Sequence, residues 1–292
     1  MLLFRIVICH GGRMLDTTKL QELKSRAFDI RCSTIKTISA FGSGHIGGSM
    51  SIVELLSVLY FDVMNIDPED PKKQDRDRFV CSKGHAGPAV YATLALKGYF
   101  PEDWLPTLNQ GGTKLPSHCD MTKTPGVDFT GGSLGQGISA AVGIALGQKI
   151  QNIPAYTYAV VGDGESQEGE VWEAAETAGA WHLDNLIAFT DVNGQQLDDY
   201  TANIIPMDKL ASRYTTFGWN VYSIEGNNIP SIHYAIEEAK NCKNGKPTMI
   251  ILNTKKSYGY IPGEGIKNNH SMSINAEAAE KAIEELRVRE GR

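Results

Sequence analysis

Short apolar runs alternate with amphipathic segments along the second half of the chain. Residues 156–161 and 186–192 are β-rich apolar runs that stop at glycine-containing turns, which predicts two buried strands. Between them, residues 168–180 carry apolar side chains at helical spacing. The alternation continues with strands predicted at 219–224 and 248–253, helices at 207–217 and 229–242, and a last amphipathic helix from about residue 275.

Helices dominate the pattern of the first half. Thr17 or Thr18 is the predicted N-cap of a long helix that ends at the glycine-rich stretch 42–44. Residues 109–132 form an aperiodic loop rich in Gly, Pro and Thr, and such loops in compact domains often carry function. Strands that alternate with helices predict a single α/β domain over residues 14–292, a doubly wound, mainly parallel sheet with helices on both faces. Further helices are predicted at 51–63, 86–97 and 135–150, and a further strand at 79–81.

Polar residues follow the two central strands at the point where each strand ends. Gly162-Asp163-Gly164 follows the first strand, and Asn193-Gly194 follows the second. A right-handed crossover makes the two strands parallel, so their carboxyl ends emerge at the same edge of the sheet. Asp163 and Asn193 are therefore expected to meet in space.

The turn before a helix offers backbone N–H groups and a positive dipole end, which suit a phosphate group. Asp163 is a poor partner for an anion unless a divalent cation lies between carboxylate and phosphate. Oxygens of Asp163 and Asn193 and a loop carbonyl near Gln195 are suitable ligands for Mg²⁺ or Ca²⁺. A dinucleotide-binding turn would need glycine at position 167, where Gln167 stands. An ordinary turn with two unrelated polar residues is the remaining alternative.

Composition limits the class of protein. The 292 residues carry a formal net charge of −6 with acids and bases interspersed, which disfavours a nucleic-acid partner. Residues 1–13 are too short for a membrane span and lack a cleavage site, so they are interpreted as a tail or a misplaced start, with no membrane partner expected. Five cysteines without a C-x-x-C motif suggest free thiols in a reducing cytoplasm: Cys9, Cys32, Cys81, Cys119 and Cys242.

Apart from His10 in the tail, the seven histidines divide into two groups. His182 and His233 lie in or beside predicted helices, where a histidine is usually an ordinary surface or core residue. Four others lie in loop contexts with Gly, Ser or Pro, where function is more frequent; they are His45, His85, His118 and His270.

The motifs around these residues resemble the transketolase family, whose members bind thiamin diphosphate. GDGESQEGEVWEAA followed by LIAFTDVNG is similar to the family's diphosphate-binding signature. Three further segments resemble transketolases in the same order: SGHIGGSMS around His45, SKGHAGPAVYA around His85, and PSHCD with PGVDFTGGSLGQGIS around His118. With His270, the resemblance covers residues from about 17 to 275.

The resemblance implies a role for each matching residue. His45 and His118 would contact the first hydroxyls of the donor sugar, His85 would lie by the diphosphate, and His270 between the diphosphate and the departing sugar; an imidazole suits proton transfer in both directions. Glu168 would neighbour its symmetry mate at a dimer interface, although compensation of the helix dipole explains it equally well. Ile46 stands where proline is usual. Further cofactor contacts would come from Gly132, Leu134, Gly164, Asn193 and Lys256, with metal ligation by Asp163, Asn193 and Gln195.

The expected function is that of the N-terminal subunit of a split transketolase. Such an enzyme transfers a two-carbon ketol unit from a ketose phosphate to an aldose phosphate, with the pentose phosphate pathway as its usual setting. About 22 residues follow His270, too few for the family's pyrimidine-binding domain, so a C-terminal partner subunit is expected, in an α₂β₂ assembly. The sugar stays open, including sulfonated or branched ones. The alternatives are the α-subunit of a thiamin-dependent 2-oxo acid dehydrogenase and a non-catalytic cofactor-binding module.

Overall fold

The computed structural model describes residues 15–292, so the predicted tail at 1–13 lies outside the described residues. Five strands form a parallel sheet in the order β2-β3-β4-β6-β5, and two short strands, β1 and β7, pair antiparallel beside it. The strands are β1 (Ser43–Gly44), β2 (Arg78–Cys81), β3 (Thr157–Gly162), β4 (Leu186–Val192), β5 (Asn220–Glu225), β6 (Thr248–Asn253) and β7 (Met272–Ser273).

Ten α-helices accompany these strands in the described part of the chain. No helix among residues 15–292 is both long and apolar enough to cross a membrane. The helices are α1 (Thr17–Phe41), α2 (Ile46–Met50), α3 (Val53–Val58), α4 (Gly87–Lys97), α5 (Gln136–Ile150), α6 (Gly169–Ala180), α7 (Thr201–Ile204), α8 (Leu210–Thr216), α9 (Ile229–Asn241) and α10 (Ala276–Glu290).

Helices cover both faces of the sheet because successive strand residues point to opposite sides. Phe189 packs in the core under α1, α3, α4, α9 and α10, whereas its neighbour Ala188 packs under α5, α6 and α8. Both faces of β3 and β4 are buried, which explains their continuous apolar sequences. The predicted doubly wound, mainly parallel α/β fold is confirmed.

Local differences from the predicted elements have physical causes. The N-cap of α1 is Asp16, whose side chain accepts from the Lys19 backbone N–H at 2.8 Å, so the prediction of Thr17 or Thr18 is wrong. The helix predicted at 51–63 is α3 followed by a π-helical turn, Leu59–Val63. Helix α2 was not predicted, because its Gly47-Gly48 pair is typical of a loop.

The register of β3 against β4 sets the position of the functional edge. Gly162 pairs with Asp191, and the Asp163 N–H continues the ladder by donating to the Asp191 carbonyl at 3.1 Å. The turn after β3 and the turn after β4 therefore leave the sheet side by side, as the sequence predicts.

Gly179 is a packing constraint on this fold. A Cβ there would lie 1.8 Å from the Phe217 carbonyl oxygen, where α6 crosses the end of α8. We expect Gly179→Ala to lower the free energy of unfolding by about 2 kcal/mol, as overpacking does. Gly143→Ala is the matched control, since a Cβ in the middle of α5 meets nothing within 4 Å, and it should raise stability by about 0.5–1 kcal/mol. Urea unfolding of the wild type and of the two variants measures these changes in stability. Equal effects of the two substitutions would contradict the prediction.

Candidate active site

A cleft of about 280 Å³ opens at the carboxyl edge of the sheet, beside the ends of β3 and β4. All the residues predicted for cofactor, metal or substrate line it, and so does Glu168. The predicted residues are His45, His85, His118, Gly132, Leu134, Asp163, Gly164, Asn193, Gln195, Lys256 and His270.

Four imidazole rings meet in this cleft from four separate segments. His45 precedes α2, His85 lies in a short helical turn before α4, His118 lies in the long loop, and His270 precedes β7. The ring centre of His45 lies 5.3 Å from those of His118 and His270, and the His85 and His270 centres are 4.7 Å apart. A small polar molecule in the cleft can therefore contact several imidazoles at once.

Small residues let α2 approach this cluster. A Cβ at Gly48 would lie 2.8 Å from Nε2 of His85, and one at Gly47 would lie 2.4 Å from the Asn269 carbonyl oxygen. Ile46 opens α2 and is fully buried in the core. The residue that replaces the expected proline thus anchors the histidine segment through apolar packing.

The imidazoles are held in the neutral form. Burial lowers the pKa of all four, assisted at His45 by the charge of His118 and at His85 by that of Lys83. At His270 burial and the nearby Lys256 ammonium lower the pKa to about 4. A neutral imidazole has one nitrogen that donates and one that accepts, which is the form needed to take a proton from a hydroxyl.

The predicted metal ligands Asp163, Asn193 and Gln195 line the same cleft. The Asp163 carboxylate is oriented by three donors: the Gly164 N–H at 2.9 Å, the Gly194 N–H at 2.8 Å and the Thr201 hydroxyl at 3.0 Å. Asn193 donates from Nδ2 to Asp191 at 2.9 Å, and its Oδ1 accepts from the Gln195 N–H at 3.2 Å. The carbonyl oxygen of Gln195 accepts from Nζ of Lys256 at 3.2 Å.

The charges of the cleft fit a metal diphosphate. Burial and the neighbouring Asp191 raise the pKa of Asp163 to about 6, so this carboxylate lacks a compensating cation. Burial and the neighbouring Lys83 lower the pKa of Lys256 to about 8 despite the nearby Asp163 and Asp191, so this ammonium lacks full compensation by an anion. A divalent cation beside Asp163 and a diphosphate beside Lys256 would supply both. No group of three His, Cys, Asp or Glu residues suited to a metal occurs within residues 15–292, so a cation here needs the amide and carbonyl oxygens as well.

Sequence reasoning missed several buried groups that hold the site together. Glu165 accepts from the Gly162 and Gly135 N–H groups at 2.9 Å and from the Ser82 hydroxyl, and so ties three segments of the cleft together. Lys83 and Asp191 form a buried ion pair beneath the cleft. Lys83 lies within the SKGH motif and could have been found there, whereas Asp191 and Thr201 carry no signal in a single sequence.

Most of the chain matches one family description. Residues 23–291 match "Transketolase, thiamine diphosphate binding domain". This chain belongs to the transketolase family. This match confirms the prediction from the motifs. The chain is an enzyme component of transketolase type with a thiamine diphosphate-binding domain. The 2-oxo acid dehydrogenase alternative is not favoured.

Components of split transketolases and full-length transketolases are both among its relatives. The chain is 52% identical to the 6-deoxy-6-sulfo-D-fructose transketolase subunit SqwG of Clostridium sp. (strain MSTE9), over 91% of this chain and 96% of that one. It is 40% identical to one of the subunits of apulose-4-phosphate transketolase from Actinobacillus succinogenes, over 91% of this chain and 95% of that one. The solved structure of transketolase from Leishmania mexicana matches 96% of this chain with a TM-score of 0.85 and 31% identity, but this chain spans only 42% of it.

The lowered pKa of His270 predicts a pH dependence of stability. The unfolded chain binds a proton at His270 near its ordinary pKa of 6.5, but the folded chain does so only near pH 4. The stability contribution of the neutral ring is therefore present above pH 6.5 and is lost as pH falls from 6.5 towards 4.

We expect His270→Asn to reduce the loss of stability between about pH 7.5 and about pH 5, because Asn does not titrate. The measurement is the urea midpoint of the cofactor-free chain at both pH values. His182→Asn serves as the control, since His182 is exposed and has a left-handed backbone that Asn tolerates. An unchanged pH dependence in His270→Asn, or an equal change in the control, would contradict the assignment.

Proposed function

We propose that this chain is the diphosphate-binding subunit of a split, magnesium-dependent transketolase that transfers a two-carbon ketol unit from a ketose to an aldose. The observation that carries the proposal is the meeting of four neutral imidazoles in the same cleft as Asp163 and Asn193. A module that only binds a cofactor needs no such cluster of substrate-facing imidazoles.

The residues of the cleft divide into two binding sets. Asp163, Oδ1 of Asn193 and the Gln195 carbonyl would hold Mg²⁺, whose preferred ligands are oxygens. The diphosphate would receive the Gly164 N–H, Lys256, His85 and His270. Gly132 and Leu134 would pack against the rest of thiamine diphosphate, which when bound supplies the carbanion that adds to a ketose carbonyl and accepts the electron pair as the C2–C3 bond breaks.

The chain's own histidines would move the protons. Breaking the C2–C3 bond requires a base for the donor's C3 hydroxyl, and the reverse condensation must return that proton. His45 and His118 are neutral and half-buried, so each can accept a proton and, having a lowered pKa, give it back readily. His270 would assist next to the diphosphate.

A partner subunit would complete the site. Apolar side chains near the cleft are strongly exposed in this chain: Leu197 at 63%, Ile205 at 48% and Ile204 at 45%. Large exposed apolar side chains beside a binding site are typical of a protein interface. SqwG and its apulose-4-phosphate counterpart have nearly the length of this chain and are named as subunits. We propose a C-terminal partner that carries the pyrimidine-binding domain, in an α₂β₂ assembly.

The donor sugar is proposed to carry an anionic group distant from the carbonyl. The relative with 52% identity is named for 6-deoxy-6-sulfo-D-fructose, and the relative with 40% identity for apulose 4-phosphate. A ketose 6-sulfonate or a ketose phosphate is therefore the proposed donor class.

Reconstitution tests the function. The chain, the proposed C-terminal partner subunit, and the mixture are each supplied with Mg²⁺, thiamine diphosphate and an aldose phosphate acceptor. The donor is 6-deoxy-6-sulfofructose, xylulose 5-phosphate or, in a separate assay, pyruvate. Ketol transfer is expected in the mixture alone. Robust turnover by the isolated chain would overturn the split-enzyme proposal, and turnover of pyruvate without ketol transfer would favour the dehydrogenase alternative.

The role of the histidines predicts a separation of binding from turnover. In the assembled enzyme, His118→Ala or His45→Ala should slow ketol transfer by about 10²-fold or more, since each removes a positioned proton acceptor. Cofactor affinity, measured by calorimetry, should stay near the wild-type value because neither residue is assigned to the diphosphate. His233→Ala, a buried histidine outside the cleft, is the control. Wild-type turnover in either cleft variant would remove that histidine from the mechanism.

A further inference from the structure

Asp191 lies near the end of β4, is fully buried and contacts the side chain of the predicted metal ligand Asn193. Its Oδ2 accepts from the Ser51 hydroxyl at 2.7 Å, from Nδ2 of Asn193 at 2.9 Å and from Nζ of Lys83, which supplies the counter-charge. Its Oδ1 accepts from the Thr254 hydroxyl. Three donors at Oδ2 and one at Oδ1 therefore hold the Asp191 carboxylate in a fixed orientation.

The contact with Asp191 determines the orientation of the Asn193 side-chain amide. An amide has nearly the same shape when its oxygen and nitrogen are exchanged, so packing alone does not decide which atom faces the cleft. A carboxylate only accepts hydrogen bonds, so Asp191 selects the Nδ2 side of Asn193. Oδ1 then turns away from Asp191, where it accepts from the Gln195 N–H at 3.2 Å and lines the cleft. The reversed amide would place oxygen against carboxylate and present an NH₂ group to the cation.

We propose that Asp191, neutralised by Lys83, is a positioning residue that fixes the direction of the Asn193 amide so that Oδ1 faces the divalent cation. The proposal rests on the metal site of the proposed function. It adds to that site the residue that determines which atom of the Asn193 amide faces the cation. Groups behind a metal ligand typically change metal affinity by about 10- to 100-fold when they are removed.

Two substitutions of similar size separate the acceptor role of Asp191 from its ion pair. Asp191→Asn and Asp191→Leu both remove the charge opposite Lys83. In the Asn variant the amide oxygen can occupy the Oδ2 position, since the Thr254 hydroxyl on the other side can accept from the new NH₂ group. In the Leu variant no acceptor remains for Asn193.

A second substitution, at position 193, can also remove the dependence on side-chain orientation. In the double variant Asp191→Leu with Asn193→Asp, the carboxylate at 193 presents an oxygen to the cation in either orientation and keeps the net charge of the wild type. A role of Asp191 in stability alone would not be reversed by this second substitution.

The test measures Mg²⁺ affinity at saturating thiamine diphosphate by calorimetry on the chain assembled with its partner subunit, together with the thermal unfolding midpoint of each variant. Expected losses of Mg²⁺ affinity are about 10- to 100-fold for Asp191→Leu and less than about 3-fold for Asp191→Asn, with the double variant recovering at least about 10-fold over Asp191→Leu. Equal affinities of the Leu and Asn variants, or a folded double variant no better than Asp191→Leu, would overturn the proposal. If Asp191→Leu does not fold, the affinity of folded Asp191→Asn decides, and a loss beyond about 10-fold there overturns it.

Asn193→Ala distinguishes failure of this inference from failure of the proposed function. Wild-type Mg²⁺ affinity in Asn193→Ala would remove Asn193 from the metal site altogether. Lost affinity in Asn193→Ala with unchanged affinity in Asp191→Leu would keep the metal site and reject only the positioning role of Asp191.

Discussion

The parallel pairing of β3 with β4 is the constraint on which the rest of the site depends. Because Gly162 pairs with Asp191, the turn that contains Asp163 and the turn that contains Asn193 leave the sheet next to each other. A slip of one residue would turn every side chain of the strand to the opposite face. It would also exchange the apolar side chains that α5 and α6 cover with those that α1 and α4 cover. Packing on both faces of the sheet therefore fixes the distance between two polar turns that carry none of the packing energy themselves.

The edge created by this pairing collects buried charges that are only partly compensated. Asp191 and Lys83 neutralise each other in a buried ion pair, but no ion pair joins Asp163 and Lys256 within residues 15–292. Burying an ionisable group without a partner is costly and normally selected against. Here the cost is reduced at Asp163 by three hydrogen-bond donors, which also hold its oxygens in one orientation. The same donors that make the buried carboxylate tolerable make it a rigid ligand.

Much of this arrangement could be predicted from the sequence, because strong periodicity and turn chemistry are local signals. The limits of β4 and β6 agree with the predicted runs, and all the motif residues meet in one cleft. Predictions were wrong or incomplete where a tertiary contact decides. Asp16 caps α1 in place of a threonine, and α2 forms across two glycines because backbone packing near His85 favours it over the loop that glycine predicts. The role of Asp191 depends on donors from residues 51, 83 and 254, and no local pattern joins those positions.

The cleft also limits where sugar specificity can reside. Among the described residues that line it, the cationic side chains are Lys83 and Lys256. Lys83 is fully buried against Asp191, and Lys256 contacts the Gln195 and Gln196 carbonyls at 3.2 Å, close to the position proposed for the diphosphate. Neither ammonium is then available for a phosphate or sulfonate at the far end of a sugar, which a charged donor pair would normally hold. The neutral histidines can recognise the hydroxyls near the reacting carbonyl, since those groups both donate and accept. Under the proposed function, groups outside this cleft would therefore discriminate between a phosphate and a sulfonate, so the ketol-transfer chemistry and the choice of sugar would be physically separate properties.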